Sequence, residues 1–273
     1  MKTLLKVAAI VCGVMTMACK TQTIVGDYAT YPEYKKNDLG LTYTPEKSTL
    51  RLWAPSAEAV TLRIYAEGVG GEAIETLAMQ KSTKGTWVAT LEGDRKGQFY
   101  TYQVTVDGKV LDETPGVWNK AVGVNGVRAA IIDMADTNPE GWEQDKQIEV
   151  KNFTDIVIYE MHHRDFSIAP NSGITNKGKF LALTEQGTLT PEGLKSGIDH
   201  LKELGITHVH ILPSYDYGSV NEARLEDNTY NWGYDPKNYN APEGGYSTDP
   251  STPAARLRTT THMVPPLHDH AIG

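Results

Sequence analysis

The hydrophobic pattern of this chain changes its period part-way along, and that change constrains the fold more than any other feature. From Leu39 to about Met134, apolar residues recur at every second position, as in the segments VTLRIY, TWVATL and YTYQVTV. Turn pairs such as Gly70-Gly71 and Asp107-Gly108 separate these segments at short intervals. Such alternation is typical of antiparallel strands with one buried face. We therefore predict an antiparallel β-sandwich over residues 39–135.

The polar stretch 136–152 has no hydrophobic period and is interpreted as a linker. Beyond it, the segments DIVIYE and ITHVHILP are continuous apolar runs, which are typical of strands covered on both faces. Between them, Thr190-Pro191 predicts a helix start, apolar residues follow at helical spacing, and Gly205 predicts the helix end. Strand, helix and strand form a βαβ unit with parallel strands. Residues 153–273 are therefore predicted to be α/β.

The C-terminal segment AARLRTTTHMVPPLHDHAIG is a poor match to the helix that would continue this pattern. Three consecutive threonines, Thr259 to Thr261, and the pair Pro265-Pro266 oppose helix formation, because β-branched side chains and prolines are unfavourable inside helices. We expect a half-formed helix in this segment.

The N-terminus has the composition of an export signal. Lys2 and Lys6 accompany a largely apolar run that is too short to span a bilayer. The run ends at Ala18-Cys19, and a small residue before a cysteine resembles a bacterial lipoprotein processing site. We predict a signal peptide at 1–19, lipidation of Cys19 and a tether at 20–38; a plain secreted protein cleaved nearby is the alternative. The protein is then expected at the periplasmic or cell-surface membrane.

Charge and cysteine content limit the partners. The formal net charge is −8 and the pI is about 5.5, which argues against binding to a nucleic-acid backbone. Both cysteines, Cys12 and Cys19, lie in the predicted signal, so no disulfide would hold the mature domains together. A membrane is expected as a partner only through the lipid anchor.

Two histidines have the spacing of metal ligands. His208 and His210 are two positions apart on a predicted strand and therefore share a face. His-x-His is a ligand pattern in some barrel hydrolases, so a metal-dependent hydrolase is one interpretation. We favour a structural role, because the sequence contains no matching set of further ligands. It also lacks a phosphate-binding loop and a Gly-x-Ser-x-Gly elbow. We predict no metal site and no cofactor, with a structural calcium left open.

The segment YNWGYDPKNYNAPEGGYSTDP, residues 230–250, is far more aromatic than an ordinary loop. Its prolines and the pair Gly244-Gly245 predict that it forms neither a helix nor a regular strand. It follows the second predicted parallel strand, and α/β folds bind ligands in loops at the carboxyl ends of such strands. Two interpretations remain open: a loop packed by its own rings, or a platform on which sugar rings stack.

The motifs IYEMHHRDFS, LKELGITHVHILPSYDYGSVNE and the aromatic segment together resemble type I pullulanases of glycoside hydrolase family 13. LRLWAPSAEAVTLRIY and DETPGVWNKAVGVNG resemble the family 48 carbohydrate-binding module that precedes the catalytic domain, although Gly116 to Asn119 replace the usual Asp-Pro-Tyr-Ala. This resemblance covers about Leu39 to Pro250. It implies a multidomain β plus α/β protein in which an antiparallel β-sandwich precedes the first part of a (β/α)8 TIM barrel. It also implies retaining hydrolysis of α-1,6-glucosidic bonds in pullulan and branched α-glucans.

The resemblance further implies where substrate binds and which groups are missing. In this family the Tyr of WGYDP stacks on the sugar before the scissile bond, so Tyr234 is the predicted substrate-binding residue, with Trp232 and Asp235 shaping its loop. The family's catalytic carboxylates come from later strands, so no catalytic residue carries over. Because a complete barrel needs about 250 residues, residues 153–273 are predicted to be an incomplete barrel, truncated and inactive alone.

Two functions from different classes remain. The first is the N-terminal part of a pullulanase-type hydrolase that binds α-glucan polysaccharide or oligosaccharide. The second is a non-catalytic α-glucan-binding lipoprotein. Trp53, Trp87 and Trp118 are candidate sugar platforms in the sandwich, but Trp87 is in register with apolar neighbours and is expected to lie in the core.

Overall fold

A computed structural model describes residues 28–273 of the protein. Antiparallel strands make up the first part of the chain. The strands are β1 (Gly40–Thr44), β2 (Lys47–Trp53), β3 (Ala59–Tyr65), β4 (Glu75–Ala78), β5 (Gln80–Lys81), β6 (Thr86–Glu92), β7 (Phe99–Val106), β8 (Lys109–Val110) and β9 (Ala129–Ala130). One sheet has the order β1-β2-β6-β5, the other has the order β4-β3-β7-β8, and β9 pairs with β7. The predicted antiparallel β-sheet domain is confirmed.

One hydrophobic core joins the two sheets. Most of the alternating residues predicted from the sequence are buried in it: Val60, Leu62 and Ile64 of β3; Trp87, Ala89 and Leu91 of β6; Tyr100 and Tyr102 of β7. Leu50 of β2 joins them, and Val104 of β7 packs against the core while remaining partly exposed. Leu62 and Ile64 are completely buried. In β3 the intervening residues Thr61 and Arg63 remain partly exposed, so this strand has one buried face and one face that reaches solvent.

Two short parallel strands follow, with a helix between them. Strand β10 (Ile158–Met161) pairs with β11 (His208–Ile211), and α1 (Gly197–Leu204) connects them, as the βαβ pattern predicted. Gly205 ends the helix in the left-handed conformation at φ 72°. The predicted helix start at Thr190-Pro191 is wrong, because Leu189 and Lys195 form a β-bridge that holds this stretch in a tight turn.

The aromatic segment contains a strand, so the prediction of wholly irregular structure is wrong. Strand β13 (Pro236–Pro242) pairs antiparallel with β12 (Tyr215–Tyr217), through two register shifts. Its two prolines occupy the first and last positions, where the ladder needs no N–H donor from them. The rest of the segment is irregular, apart from a single 3-10 turn at Gly244–Tyr246.

Two consecutive helices occupy the C-terminal segment, so the expectation of a half-formed helix is wrong. Helix α2 (Pro253–His262) leads directly into α3 (Val264–Asp269). The threonine hydroxyls bond to carbonyls four residues earlier, for example Thr259 Oγ1 to the Ala255 oxygen at 2.8 Å. The prolines lie in the first turn of α3, where backbone N–H groups have no partner inside the helix.

A second apolar core lies under the parallel strands. It combines α1 and α3 with the strands and the segments between them through Met161, Phe180, Leu183, Ile198, Leu201, Tyr217, Val220, Tyr246, Met263, Leu267 and Ile272. After α3 the backbone of Gly273 reaches β11: Val209 N donates to the Gly273 carbonyl at 2.9 Å, and Gly273 N donates to the Thr207 carbonyl at 2.8 Å. His208 N donates instead to the carbonyl of Val157, which directly precedes β10. Gly273 therefore lies on the edge of β11 that faces away from β10.

Membrane-related predictions concern the N-terminus. The predicted signal at 1–19, the lipidation residue Cys19 and the first part of the predicted tether lie outside the described residues. Within residues 28–273, none of the helices has both the length and the apolar character needed to cross a bilayer.

Candidate functional site

The aromatic loop at 230–235 lies over the carboxyl ends of both parallel strands. Gly233 adopts φ +89° and sits so close to the Pro213 carbonyl, just after β11, that any side chain there would clash. His162, just after β10, places its Nε2 atom 2.7 Å from the Asn231 carbonyl. The loop is therefore held where ligand sites of α/β folds form.

The predicted substrate-binding rings project from this loop into solvent. Tyr234 is 66% exposed and Trp232 is 60% exposed. Tyr230 packs edge-on against Trp232 with ring centroids 5.6 Å apart, and its other side rests on His162 at 5.1 Å. A loop packed by its own rings would bury them, so the exposure of Tyr234 and Trp232 favours the stacking interpretation.

Asp235 serves as an acceptor within the loop. Asn231 Nδ2 donates to its carboxylate at 2.7 Å, and the Ser219 hydroxyl donates to it as well. Burial alone would raise the pKa of Asp235, but the hydrogen bonds from Ser219 and Asn231 outweigh it and lower that pKa. An ionised Asp235 thus fixes the turn that presents Tyr234.

A buried histidine supports the loop from below. His163 is enclosed between the rings of Phe180 and Tyr246, with centroid distances of 4.8 and 5.1 Å. Burial lowers the pKa of His163 to about 4, so its imidazole is neutral at physiological pH. Tyr246 also contacts His162, through its hydroxyl at 3.3 Å from Nε2. This packed set gives the loop a rigid base.

A cluster of buried charged side chains lies beside this packed set of rings, and no sequence motif predicts it. Arg256 on α2 is completely buried, and its guanidinium forms a bidentate ion pair with Glu222. The same guanidinium donates to Asp216 at 3.3 Å. Glu243 completes the cluster by accepting from the backbone N–H groups of Gly245 at 2.7 Å and Tyr217 at 3.2 Å.

Burial shifts Asp216 and Glu243 toward their neutral forms. Removal from water raises the pKa of Asp216 to about 6, against the opposing hydrogen bond from Asn238. Burial, followed by the neighbouring charge of Glu222, raises the pKa of Glu243 well above its ordinary value. Asp216, Glu222 and Glu243 form the only set in the described residues with metal-ligand spacing, and Arg256 already supplies the positive charge there.

The loop 123–126 of the β-sheet domain, which lies between β8 and β9, supplies part of this cluster. Arg256 Nη2 donates to the Gly123 carbonyl at 2.9 Å. The Asn125 backbone N–H donates to Glu222, and its side-chain oxygen accepts from the Glu222 backbone at 2.8 Å. Asn238 of β13 donates to the Gly126 carbonyl at 3.0 Å and to Asp216 at 2.7 Å. The β-sheet domain and the α/β region therefore share one polar interior.

The remaining candidate residues lie apart from the aromatic loop. His210 Nδ1 is 3.2 Å from Glu160, and both side chains are exposed. His208 bonds to Thr207 Oγ1 at 2.9 Å through Nδ1. Neither histidine belongs to a set of three potential ligands within residues 28–273, and this arrangement favours the structural role.

The three tryptophans of the sandwich differ in their surroundings. Trp87 is buried, and its Nε1 donates to the Ala54 carbonyl at 3.0 Å, so its predicted place in the core is confirmed. Trp53 donates to the carbonyls of Pro32 and Lys84, both at 3.1 Å. Trp118 is 50% exposed in the turn that replaces the usual Asp-Pro-Tyr-Ala.

Comparison with known proteins agrees with this geometry. Residues 38–121 match the family "Carbohydrate-binding module 48 (Isoamylase N-terminal domain)". The pullulanase of Bacillus subtilis strain 168 is 37% identical over 88% of this chain and 32% of its own length. The chloroplastic pullulanase 1 of Arabidopsis thaliana is 30% identical over 84% of this chain and 27% of its own.

Solved structures show the same relationship. The pullulanase of Paenibacillus barengoltzii, determined with maltohexaose and alpha-cyclodextrin, superposes with a TM-score of 0.85 at 48% identity, over 88% of this chain and 37% of that one. The pullulanase of Anoxybacillus sp. LM18-11 with maltotriose gives a TM-score of 0.81 at 38% identity, over 88% and 33%. The chain spans about a third of the length of these relatives.

Proposed function

Because residues 38–121 form a carbohydrate-binding module of family 48 and the chain is homologous to type I pullulanases, we propose that it binds α-glucan. The observation that carries this proposal is the exposed pair Tyr234 and Trp232 on a loop clamped over the ends of two parallel strands. Tyr234 presents a flat apolar face on which a glucose ring can stack. Trp232 flanks that face, and Asp235 holds the turn between them.

We also propose that residues 153–273 contribute the first part of a (β/α)8 barrel. The parallel pair β10 and β11 with α1 between them is one βα repeat followed by a strand. Helices α2 and α3 then return the chain to Gly273, whose backbone bonds to the free edge of β11 in a parallel pattern. The chain therefore passes through a strand, a helix, a second strand, further helices and a third strand position, in that order. Such barrels are built by repeating a strand followed by a helix.

In a complete barrel of this type, the activity would be retaining hydrolysis of α-1,6-glucosidic bonds in pullulan and branched α-glucans. That chemistry needs two carboxylates about 5 Å apart across the glycosidic bond. The acids nearest to this loop are already engaged: Asp235 accepts hydrogen bonds from Ser219 and Asn231, and the buried acids of the Arg256 cluster are held in ion pairs and hydrogen bonds. We therefore propose that the 273 residues alone bind α-glucan and do not cleave it.

A turnover measurement tests this proposal. The purified 273-residue chain, incubated with pullulan, should release no reducing ends above a heat-denatured sample. A fusion of the chain to the later part of the Bacillus subtilis pullulanase should hydrolyse pullulan if residues 153–273 are barrel strands. Turnover by the 273 residues alone, or a folded fusion without turnover, would contradict the assignment.

The alternative is a non-catalytic α-glucan-binding lipoprotein, favoured by the combination of a carbohydrate-binding module with exposed rings and no catalytic pair. Affinity electrophoresis in gels that contain pullulan tests binding in either case. The wild-type chain should be retarded, Tyr234→Ala should lose most of the retardation, and Phe153→Ala should keep it. Phe153 is an exposed ring at the opposite end of the parallel strands. Binding in the gel with an inactive fusion would favour the lipoprotein.

Export and anchoring are a separate proposal. We propose that Cys19 becomes the first residue after removal of residues 1–18 and carries a lipid, which would tether the rest of the chain to a periplasmic or cell-surface membrane. Labelled palmitate supplied to a bacterial host should appear in the wild-type protein. It should be absent from Cys19→Ala but present in Cys12→Ala, the matched cysteine within the predicted signal.

A further inference from the structure

We propose that the groove between the module and strand β13 is a second α-glucan subsite, in which Trp118 and Tyr239 stack on sugars of the chain held by Tyr234. This inference rests on the proposed glucan binding and adds a site outside the aromatic loop. The groove is lined by the turn 113–119, by Gly126 and by residues 237–240, and its volume is about 490 Å³. Ligand sites typically measure about 300–1,000 Å³.

Two large aromatic side chains line this groove and remain exposed to solvent. Trp118 is 50% exposed and Tyr239 is 69% exposed. Exposed apolar surface that lines a cleft marks ligand-binding sites, and the C–H faces of glucose suit aromatic rings. The turn 113–119 also supplies Thr114 and Asn119, whose polar groups lie beside the groove where sugar hydroxyls would need partners.

The two walls are fixed relative to each other by hydrogen bonds. Asn240 Nδ2 donates to the Val117 carbonyl at 2.7 Å, next to Trp118. Asn119 Nδ2 donates to Asn238 Oδ1 at 3.0 Å, and this bond is buried. Asn238 and Asn240 flank Tyr239 on β13. The rings are thus preorganised, so a sugar that stacks between them would not have to order either wall.

The groove is continuous with the aromatic loop. Tyr239 packs against Tyr215 with ring centroids 5.1 Å apart. Tyr215 begins β12, and directly after this strand the Gly218 backbone N–H donates to the Asp235 carbonyl at 3.0 Å. Strand β12 therefore connects the two ring surfaces, and a single glucan chain can follow the path from Tyr234 to Trp118.

The path also continues beyond Trp118. A further groove of about 510 Å³ lies on its other side, lined among others by Tyr28, Tyr31 and Trp53. The rings of Tyr28 and Trp53 stand edge to face at 6.3 Å. A long glucan would therefore meet successive aromatic surfaces, whereas a trisaccharide would fill only one of them. Binding at linked subsites makes affinity grow with chain length.

Chain-length dependence provides the test. Affinities of the 273-residue chain for maltotriose and for pullulan should be measured by calorimetry and affinity electrophoresis. Trp118→Ala and Tyr239→Ala should each weaken pullulan binding about three- to tenfold, the loss expected for one aromatic contact. Both variants should leave maltotriose binding at the Tyr234 loop unchanged. Trp118→Tyr and Tyr239→Phe, which keep a ring, should retain most of the pullulan affinity, and Phe153→Ala should match wild type.

The outcomes separate this inference from the proposed function. If Tyr234→Ala abolishes binding while Trp118→Ala and Tyr239→Ala bind pullulan as wild type does, the groove is not a subsite and the proposed function stands. If the wild-type chain binds neither sugar, the proposed function itself fails. Thermal melts of each variant guard against misfolding, and an equal loss of maltotriose and pullulan affinity in a folded Trp118→Ala protein would also overturn the second subsite.

Discussion

The β-sheet domain and the α/β region both have an apolar core, but the α/β region also encloses a cluster of charged side chains. Two sheets of regular antiparallel ladders meet over an apolar cluster in the first, where Leu62 and Ile64 are fully buried. Short strands in the second enclose Arg256, Asp216 and Glu222, all nearly or completely buried. Apolar burial is not directional, so it tolerates small shifts, whereas a buried ion pair depends on its geometry. We infer that the first region resists pH change and the second responds to it.

The comparison also shows that the two interiors are not independent. The cation of the second region bonds to the Gly123 carbonyl of the first, and Asn125 binds Glu222 through both backbone and side chain. The linker predicted at 136–152 joins in as well, since Arg258 donates to the Asp136 carbonyl and His268 lies 2.9 Å from Asp145. Loss of the charge cluster should therefore loosen the junction while leaving the sheets folded.

Replacement of the buried cation should have the largest effect. Arg256→Met leaves Asp216, Glu222 and Glu243 together without a counter-charge, which should cost about 3–5 kcal/mol of the free energy of unfolding of the α/β region. Hydrogen exchange followed by mass spectrometry should show lost protection in α2, β12 and β13. Protection in β3 and β7 should persist.

A neighbouring arginine provides the control. Arg258 lies on the same helix but is exposed, so Arg258→Met should change the free energy of unfolding by less than about 1 kcal/mol. Equal losses in both variants, or a loss of protection in β3 and β7 with Arg256→Met, would show that the difference between the two regions is not real.

A cavity in the sandwich should have a comparable or slightly smaller effect. Leu62→Ala removes a fully buried side chain from the shared core of the sheets and should cost about 2–5 kcal/mol, with the same loss at pH 5 and pH 8. Chemical denaturation monitored by circular dichroism measures it. Leu111→Ala, a partly exposed leucine, should change stability by about 0.5 kcal/mol at most. A strongly pH-dependent loss in Leu62→Ala would contradict the assignment of pH sensitivity to the α/β region.

Two buried groups should give the α/β region opposing pH responses. His163 has a pKa of about 4 in the folded protein, below the ordinary 6.5, so the unfolded chain binds a proton first and stability falls as the pH drops from 6.5 to 4. Asp216 has a pKa of about 6, above the ordinary 3.8, so stability falls as the pH rises from 3.8 to 6. The raised pKa of Glu243 acts in the same direction as that of Asp216.

His163→Phe should remove the loss of stability that His163 causes at low pH, so that the opposing effect of Asp216 and Glu243 remains. Relative to wild type, the variant should gain up to about 3 kcal/mol between pH 7 and pH 4, because it has no imidazole to protonate on unfolding. Melting temperatures across that range measure the difference. His210→Phe, at an exposed histidine, should follow the wild-type profile. Parallel profiles for wild type and His163→Phe would mean that burial does not control the His163 proton.

Loss of a single junction hydrogen bond should have the smallest effect. Asn240→Ala removes the donor to the Val117 carbonyl and should cost about 0.5–1.5 kcal/mol, since the bond lies near the surface. Differential scanning calorimetry can detect the shift. Asn171→Ala, on an exposed loop, is the matched control and should leave the transition unchanged. A loss of several kcal/mol would instead place Asn240 among the buried supports of the junction.

The difference between the two regions also explains which features could be predicted from the sequence. Val60, Leu62 and Ile64 lie in one short window, so their alternation reveals a strand and its buried face without knowledge of the partner. The parallel pair was also predictable from two apolar runs with a helix pattern between them. The motif singles out Tyr234, whose role in substrate binding stays a prediction, and the structure adds its exposure and position.

The charge cluster could not be found in this way. Arg256 lies among threonines on a helix that the sequence disfavours, and its partners Asp216 and Glu222 are more than thirty residues away. Only the tertiary fold brings them together. The sequence does not predict strand β13, because prolines usually interrupt strands. Here both prolines lie at the strand ends, where they remove no hydrogen bond between the strands. The late start of α1 reflects a local bridge between Leu189 and Lys195 that outweighs the Thr-Pro helix signal.

The bond from Arg256 to the Gly123 carbonyl has a consequence for domain exchange. Carbohydrate-binding modules are often treated as parts that can be cut at a linker and grafted elsewhere. In this protein such a cut would remove one acceptor of a fully buried cation and, with Asn125, two bonds to its main counter-ion. A transplanted β-sheet domain would expose polar groups that have no partner in the new protein. The α/β region left behind would keep Arg256 and Glu222 without some of their hydrogen-bond partners. The transferable unit is therefore the sandwich together with the turn 119–126 and the surface complementary to it.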